Sequence, residues 1–203
     1  GHCRWCATGR SSLCETSYTG GSRPGAEGAF RSGNGTPLRA MCALGTFAEH
    51  AIVTEQSLVK VDQAVPLDVA ALISCGVITG WGAAVKAGQV RPGDTVLVVG
   101  AGGVGINAVQ GARHAGASHI IVADPNGRRA DLARQVGATH FVSTVPEAAS
   151  LAMALNPTAR GVDVAIVCVA DTDPTTVRQA FDATGKAGTV VLASLSNDFD
   201  ALS

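Results

Sequence analysis

Two groups of residues in this chain are spaced to do chemistry. The first is Cys3, Cys6 and Cys14, in the pattern C-x2-C-x7-C. Two thiolates three residues apart on a turn can grip one metal ion, and a third from a nearby loop tightens the cage. Soft thiolates suit zinc, whose closed structural sites take four ligands. His2 adjoins Cys3 and is poorly placed to share the same metal, so the plain alternative is three reduced thiols without an ion. The second group is Gly100, Gly102 and Gly105 in G-x-G-x-x-G spacing, with Asp124 further along. Gly100 permits a tight turn, Gly102 lets the backbone approach a pyrophosphate, and Gly105 lets a helix lie close to a sheet.

Both groups depend on the elements that hold them. The apolar, β-branched run Thr95 to Val99 predicts a strand buried on both faces. A helical pattern follows through Val104, Ala108, Val109 and Ala112, and a second strand, His119 to Ala123, ends at Asp124. The helix N-terminus offers free N–H groups to phosphates, and the carboxylate can accept hydrogen bonds from an adenosine ribose. A glycine triplet alone is also compatible with an ordinary strand-to-helix turn. The strand, helix, second strand and acid in register point to a dinucleotide. Further strands are predicted at 140–142, 162–168 and 188–193, with helices near 103–115, 128–136, 146–155 and 174–183. Asp173-Pro174 reads as a helix start, and Gly137 and Gly185 as stops. Strand and helix alternate, as a doubly wound parallel sheet requires; five strands are present where a complete Rossmann fold has six.

Upstream, Gly45 to Val53 alternates enough to predict a strand leading into a turn, and Leu58 to Val61 a second short strand. Pro66-Leu67-Asp68 opens a helix. Thr19 to Arg39 reads as an irregular loop. His50 near a strand end is more simply structural than a ligand, and Glu49 a solvated acid. Cys75, read by itself, is a cysteine at a helix end, with a small buried hydrophobe as its plain role.

Composition sets the outer limits. The chain has 203 residues, 46% hydrophobic and 15% charged, with a formal net charge of -1. That balance gives no electrostatic case for nucleic acid or an anionic membrane. No uninterrupted apolar run is long enough to span a bilayer and no export segment precedes the first motif, so the cytoplasm is the default expectation. The six cysteines do not read as a disulfide framework. The chain begins at Gly1 inside a motif and ends in the polar stretch Ser196 to Ser203, so both ends are expected to be cut.

Taken together, these residues resemble the zinc-dependent medium-chain alcohol dehydrogenases. Gly1, Cys3, Cys6 and Cys14 match the family's structural-zinc pattern C-G-x-C-x-x-C plus a fourth cysteine, the first cysteine falling immediately before Gly1. The pieces are colinear: the zinc lobe, Gly45-Thr46-Phe47-Ala48-Glu49-His50, Cys75-Gly76-Val77-Ile78-Thr79-Gly80, the glycine turn and the acid. The resemblance implies an α/β Rossmann domain with its sixth strand missing, at 77–203, preceded by part of a GroES-like, mostly β catalytic domain at 1–76.

By the same match, Cys75 is a catalytic-zinc ligand whose partner ligands, a Cys and a His, lie upstream. Thr79 touches the nicotinamide end of the cofactor, and Gly76 to Gly82 form the joint between domains. Gly100, Gly102, Gly103, Val104 and Gly105 form the pyrophosphate turn. Val169 and Ala193 line the nicotinamide pocket, although by periodicity they are ordinary core residues. Asp124 favours NAD over NADP, since a carboxylate repels a 2′-phosphate. Arg129 takes the family's basic place beside the ribose; Arg128 and Arg129 otherwise cap a solvated helix face. Val167 and Ala170 depart from the family's usual glutamate and glycine.

The implied reaction is hydride transfer from an alcohol, activated by zinc as a Lewis acid, to NAD, giving an aldehyde or ketone. The implied cofactors are NAD and structural and catalytic Zn(2+). The expected partner is a small alcohol or aldehyde, with a homo-oligomer when the chain is full length. Met41 to Phe47 and Gly80 to Val85 most resemble a bacterial subgroup that keeps NAD bound and reduces a nitroso dye. A zinc-free quinone-type reductase is opposed by the cysteine loop and Cys75. The other rival is an NAD- and zinc-binding fragment without catalysis, expected to bind NAD weakly and to turn over no alcohol.

Overall fold

The computed structural model describes residues 3–14, 30–38, 46, 48–53, 55, 58–155 and 161–194. Its contacts divide the chain into two compact units, Gly1–Val61 and Asp62–Ser203.

In the first unit, a short helix α1 (Arg4–Ala7) follows Cys3, and a 3-10 turn, Ser11–Leu13, precedes Cys14. Strands β1 (Phe30–Arg31) and β2 (Pro37–Leu38) pair antiparallel, so part of the expected loop at Thr19 to Arg39 is a hairpin; residues 19–29 and 39 lie outside the described residues. The signal was present as Asn34-Gly35. Gly35 sits at φ +83°, and Asn34 Oδ1 accepts from the Thr36 N–H at 3.2 Å, the local bonding that makes Asn-Gly a turn former. The strands expected at Gly45–Val53 and Leu58–Val61 do not form among the described residues, where Thr46, Ala48–Val53 and Leu58–Val61 are bends and unpaired chain. Alternation predicts a strand only where a neighbouring backbone takes its hydrogen bonds, and Ile52 and Val59 are exposed instead. Glu49 and His50 are exposed.

The second unit is a five-stranded parallel sheet in the order β5-β4-β3-β6-β7. The strands are β3 (Thr95–Val99), β4 (His119–Ala123), β5 (His140–Val142), β6 (Val162–Val167) and β7 (Thr184–Leu192). All five residues of β3 are buried, as a strand covered on both faces must be. Val96, Val98, Ile120, Val122 and Ile166 face Ala108, Val109 and Ala112 of α4 (Gly103–His114). Leu97, Ile121, Ala165 and Val167 face Ala148 and Ala152 of α6 (Val145–Leu155) and Ala180 and Ala183 of α7 (Pro174–Ala183). Alanine at these helix positions lets the helices approach the branched side chains of the sheet. Helix α5 (Ala130–Val136) stops at Gly137, φ +130°, and α7 starts at Asp173, whose Oδ1 accepts from the Thr176 N–H at 2.9 Å.

Strand β7 differs from expectation. It begins at Thr184, directly after α7, with Gly185 inside it rather than acting as a helix stop. Val162 pairs with Thr184 but Val164 with Thr189, so Gly185 to Gly188 bulge out of the ladder, with Ala187 at φ +61°. The Gly-Lys-Ala-Gly stretch therefore looked like a boundary in the sequence.

Before the sheet, Leu67–Ala87 forms one helix of 21 residues. It comprises α2 (Leu67–Leu72), a π-helical segment Ile73–Val77, α3 (Ile78–Gly82) and a second π segment Ala83–Ala87. By length and composition this helix could cross a membrane, which corrects the expectation that no such run exists; its charges, Asp68 and Lys86, lie only at the ends. Its second half is a protein-packing helix, since Gly80, Ala83 and Ala84 are buried and Gly80 lies on the backbone of α4.

His119 and His140 begin neighbouring strands with ring centroids 5.9 Å apart. Burial, and then the charge of His119, hold the His140 imidazole below its ordinary pKa. The unfolded chain then binds the proton more readily, so stability is full above the ordinary imidazole range and falls as pH drops through about 6.5. The melting temperature is expected to decline from pH 7 to 5, and His140→Gln to flatten that decline. An unchanged slope in the variant rejects the assignment.

Candidate cofactor crevice and thiolate cluster

The thiolate cluster is built by local backbone bonds. The Ala7 N–H donates to Cys3 O at 3.0 Å and the Gly9 N–H to Cys6 O at 3.1 Å, which winds the first two cysteines onto one turn. Gly9, at φ +74°, then reverses the chain, and the Cys14 N–H donates to Ser11 O at 3.0 Å. As a result the three sulfurs lie within 4.8 Å of one another. Cys3 and Cys6 Sγ are 3.7 Å apart, against about 3.8 Å for two thiolates sharing a tetrahedral zinc with Zn–S near 2.3 Å. The donor set and spacing fit the ion. Hydrogen bonding with Cys14, then burial and Cys3, raise the Cys6 pKa. Cys6→Ser is expected to lower the zinc content by about one ion per chain, read by atomic emission on the purified protein. Equal zinc in variant and parent counts against the cluster.

The crevice lies where the sheet reverses direction. From β3 the chain winds outward to β4 and β5, then returns to β6 on the other side, so the loops after β3 and β6 diverge. The loop after β3 is the glycine turn. Gly100 has φ +93°, where a side chain is strained, and a Cβ there would meet Cys168 O at 3.2 Å. A Cβ on Gly105 would stand 1.8 Å from Gly100 O, which is how closely α4 packs on the turn. Gly102 and Gly103 face open space, with nothing within 4 Å of an added Cβ. No side chain caps α4, so its first N–H groups are available at that opening. Val104 is half-buried beside them.

Asp124 closes the β4 side of the crevice. It is 2% exposed, and its Oδ2 accepts from the Ala101 N–H at 2.7 Å and from Arg129 at 2.8 Å; its Oδ1 accepts from the Asn126 N–H at 2.8 Å. Burial pushes the carboxyl pKa up, but the Ala101 and Asn126 N–H groups and the Arg129 guanidinium outweigh it and hold the group below the usual range. The acid is therefore ionised and pinned against the glycine turn. The Ala101 contact escaped sequence reading because a backbone N–H leaves no mark in residue type. Arg128 is exposed, and no ion pair to it is found among the described residues.

Val169 and Ala193, both half-buried, flank the far wall. Val169 Cγ1 would lie 3.2 Å from a Cβ on Gly100, and the Ala193 N–H donates to Val167 O at 2.9 Å. The helix Leu67–Ala87 reaches the same place: a Cβ on Gly76 would lie 3.9 Å from the Gly103 carbonyl carbon, and one on Gly80 only 2.1 Å from Val104 O. Cys75, adjoining Gly76, thus sits beside the glycine turn, exposed, within a π segment rather than at a helix end or in the core. Thr79 is exposed one turn further on. Gly76 and Gly80, four residues apart on one helix face, mark this close helix contact, a packing role beyond the joint that the family resemblance implies for Gly76 to Gly82. Cys75 and the residues around it form no cluster of three or more metal-binding side chains; among the described residues that description fits Cys3, Cys6 and Cys14 alone. Cys168 is buried, and burial pushes its thiol up to about 12, so it remains a packed, protonated core residue.

The comparisons with known proteins agree with this geometry. The pattern of the family described as "Zinc-binding dehydrogenase" matches residues 103–201. The NDMA-dependent alcohol dehydrogenase of Amycolatopsis methanolica is 46% identical over 97% of this chain and 53% of its own length. The chain belongs to the zinc-binding medium-chain alcohol dehydrogenase family. Alcohol dehydrogenase B of Mycobacterium tuberculosis is 37% identical over 98% of this chain and 54% of its own. Among solved structures, an alcohol dehydrogenase zinc-binding domain protein from Burkholderia ambifaria superposes with a TM-score of 0.81 at 33% identity, covering 95% of this chain and 52% of that one. The chain spans about half the length of the relatives it matches. Its doubly wound α/β sheet is the family's Rossmann domain.

Proposed function

We propose that this family member binds NAD in the crevice between the loops after β3 and β6, and that it serves hydride transfer between a small alcohol and that cofactor. The observation that carries the reading is the opening at Gly102 and Gly103 against an uncapped helix, with an ionised Asp124 behind it. Bound NAD supplies the hydride acceptor, and zinc supplies a Lewis acid for the alcohol.

The chain's own residues have separate tasks in this reading. The α4 N–H groups and dipole hold the pyrophosphate, and the flat glycine surface lets it come close. Asp124 accepts from the adenosine ribose hydroxyls. Its charge, already shared with Arg129, leaves that guanidinium committed rather than free for a 2′-phosphate, so NAD is preferred over NADP. Val169 and Ala193 exclude water from one side of the nicotinamide, with Thr79 at its edge. Cys75, beside the glycine turn, offers one thiolate to the catalytic zinc. Cys3, Cys6 and Cys14 hold the structural zinc.

Calorimetric titration of the 203-residue chain with NAD and NADP tests the reading. Binding of NAD, with NADP about tenfold weaker or more, is the expected result. Equal affinities overturn the role given to Asp124, and absence of binding to either overturns the crevice itself.

A further inference from the structure

The loop after β6 carries a partly buried polar contact that neither the glycine turn nor the acid explains. Thr172 is 5% exposed, and its Oγ1 donates to Ser194 Oγ. The two residues belong to different loops. Thr172 lies between Val169, packed on Gly100, and Asp173, the cap of α7. Ser194 follows Ala193 directly at the end of β7. A side-chain hydroxyl is costly to bury unless it is paired, and here pairing ties together the carboxyl-end loops of two adjacent strands. These loops form the wall of the crevice away from Asp124. The bond uses one hydroxyl proton of the pair, which leaves a second that can be given to an acceptor outside it.

We infer that Thr172 and Ser194 form a latch that positions the nicotinamide wall, setting Val169 and Ala193 at a fixed spacing and leaving the Ser194 hydroxyl to donate to a polar oxygen of the nicotinamide half. The inference rests on the reading of the crevice as an NAD site. It assigns Thr172 as a positioning residue that acts through Ser194, and Ser194 as a residue that touches the nicotinamide half of the cofactor only. The adenosine half is held by Asp124 and the α4 N-terminus, on the opposite side of the glycine turn from this latch.

The test compares NADH with ADP-ribose, which has the same adenosine and pyrophosphate but no nicotinamide, by calorimetry on the full chain. Thr172→Val keeps the shape and removes the hydroxyl. It is expected to weaken NADH about tenfold while ADP-ribose binds as to the parent, which also shows that the variant is folded. Thr172→Ser, which keeps the donor, is expected to retain NADH affinity within about twofold. Ser194→Ala, at a half-buried position, carries the same comparison if Thr172→Val does not fold. Equal weakening of both ligands reduces the pair to a structural contact and overturns the inference, as does unchanged NADH binding or failure of Thr172→Ser to retain it. A parent chain that binds ADP-ribose but shows no gain from the nicotinamide also rejects the latch while leaving the crevice in place. A parent that binds neither overturns the crevice and the latch together.

Discussion

A chain carrying Gly102→Ala is expected to melt at the parent temperature and to bind NAD about a hundredfold more weakly. The two halves of this result have separate causes. Gly102 has φ -76° and ψ -169°, an extended conformation that alanine adopts without strain, and an added Cβ meets nothing within 4 Å. The fold therefore does not need a glycine there. In the proposed NAD site the cofactor does, because the open space lies over the uncapped N–H groups of α4, and a methyl group would hold the pyrophosphate away from them. Two charge-assisted hydrogen bonds lost or lengthened account for a change of that size. Calorimetry with NAD and a thermal melt on the same preparation decide it. Unchanged affinity would mean the pyrophosphate lies elsewhere, and a lowered melting point would mean that the turn is structural. Gly105→Ala is the opposite case: its Cβ would stand 1.8 Å from Gly100 O, so there the fold itself requires the glycine.

That contrast shows what a sequence can and cannot carry. The sheet was legible because its strands are apolar on both faces and its helices are amphipathic; β3, β4 and β5 begin and end where periodicity places them. The G-x-G-x-x-G spacing already separates the three glycines by role, and the backbone has a positive φ at Gly100, open space at Gly102 and a close packing contact at Gly105. Pairing partners were not legible. Gly45–Val53 and Leu58–Val61 alternate like strands, yet strand formation depends on a neighbouring backbone, which a residue pattern does not specify. The bulge at Gly185–Gly188 is the converse, a run of turn formers absorbed within a strand because β6 supplies pairing on both sides of it. In the site, Asp124 could be placed from its distance to the glycines, whereas its anchor is the N–H of Ala101, a residue whose side chain has no part in the bond. Thr172 and Ser194 are 22 positions apart, with nothing in either residue type to mark them as partners. Sequence reading finds groups that share an element; contacts that join separate loops need coordinates.

A large loss of stability is expected from Gly80→Ala. Its Cβ would lie 2.1 Å from Val104 O, 2.7 Å from Ala108 N and 2.8 Å from Asn107 Cβ, the first two of them backbone atoms of α4 that no side-chain rotation can move. Helix α3 must then lift away from α4, at a cost of about 3 kcal/mol, the upper part of the usual range for overpacking. Gly82, two residues on in the same helix, has nothing within 4 Å of an added Cβ. Gly82→Ala is therefore expected to be neutral or to stabilise the chain by up to about 1 kcal/mol through helix propensity. Urea denaturation of the two variants separates packing from propensity, and equal midpoints would reject the contact. The displacement has a functional consequence as well. Cys75 lies beside the glycine turn because this helix rests on α4 at Gly80, with Gly76 so placed that an added Cβ would stand 3.9 Å from the Gly103 carbonyl carbon; Thr79 directly precedes Gly80. Lifting the helix moves both residues from the nicotinamide end of the proposed NAD site but leaves Asp124 and the α4 N–H groups in place. Gly80→Ala should accordingly lose more affinity for NADH than for ADP-ribose, whereas Gly102→Ala should lose both to the same degree.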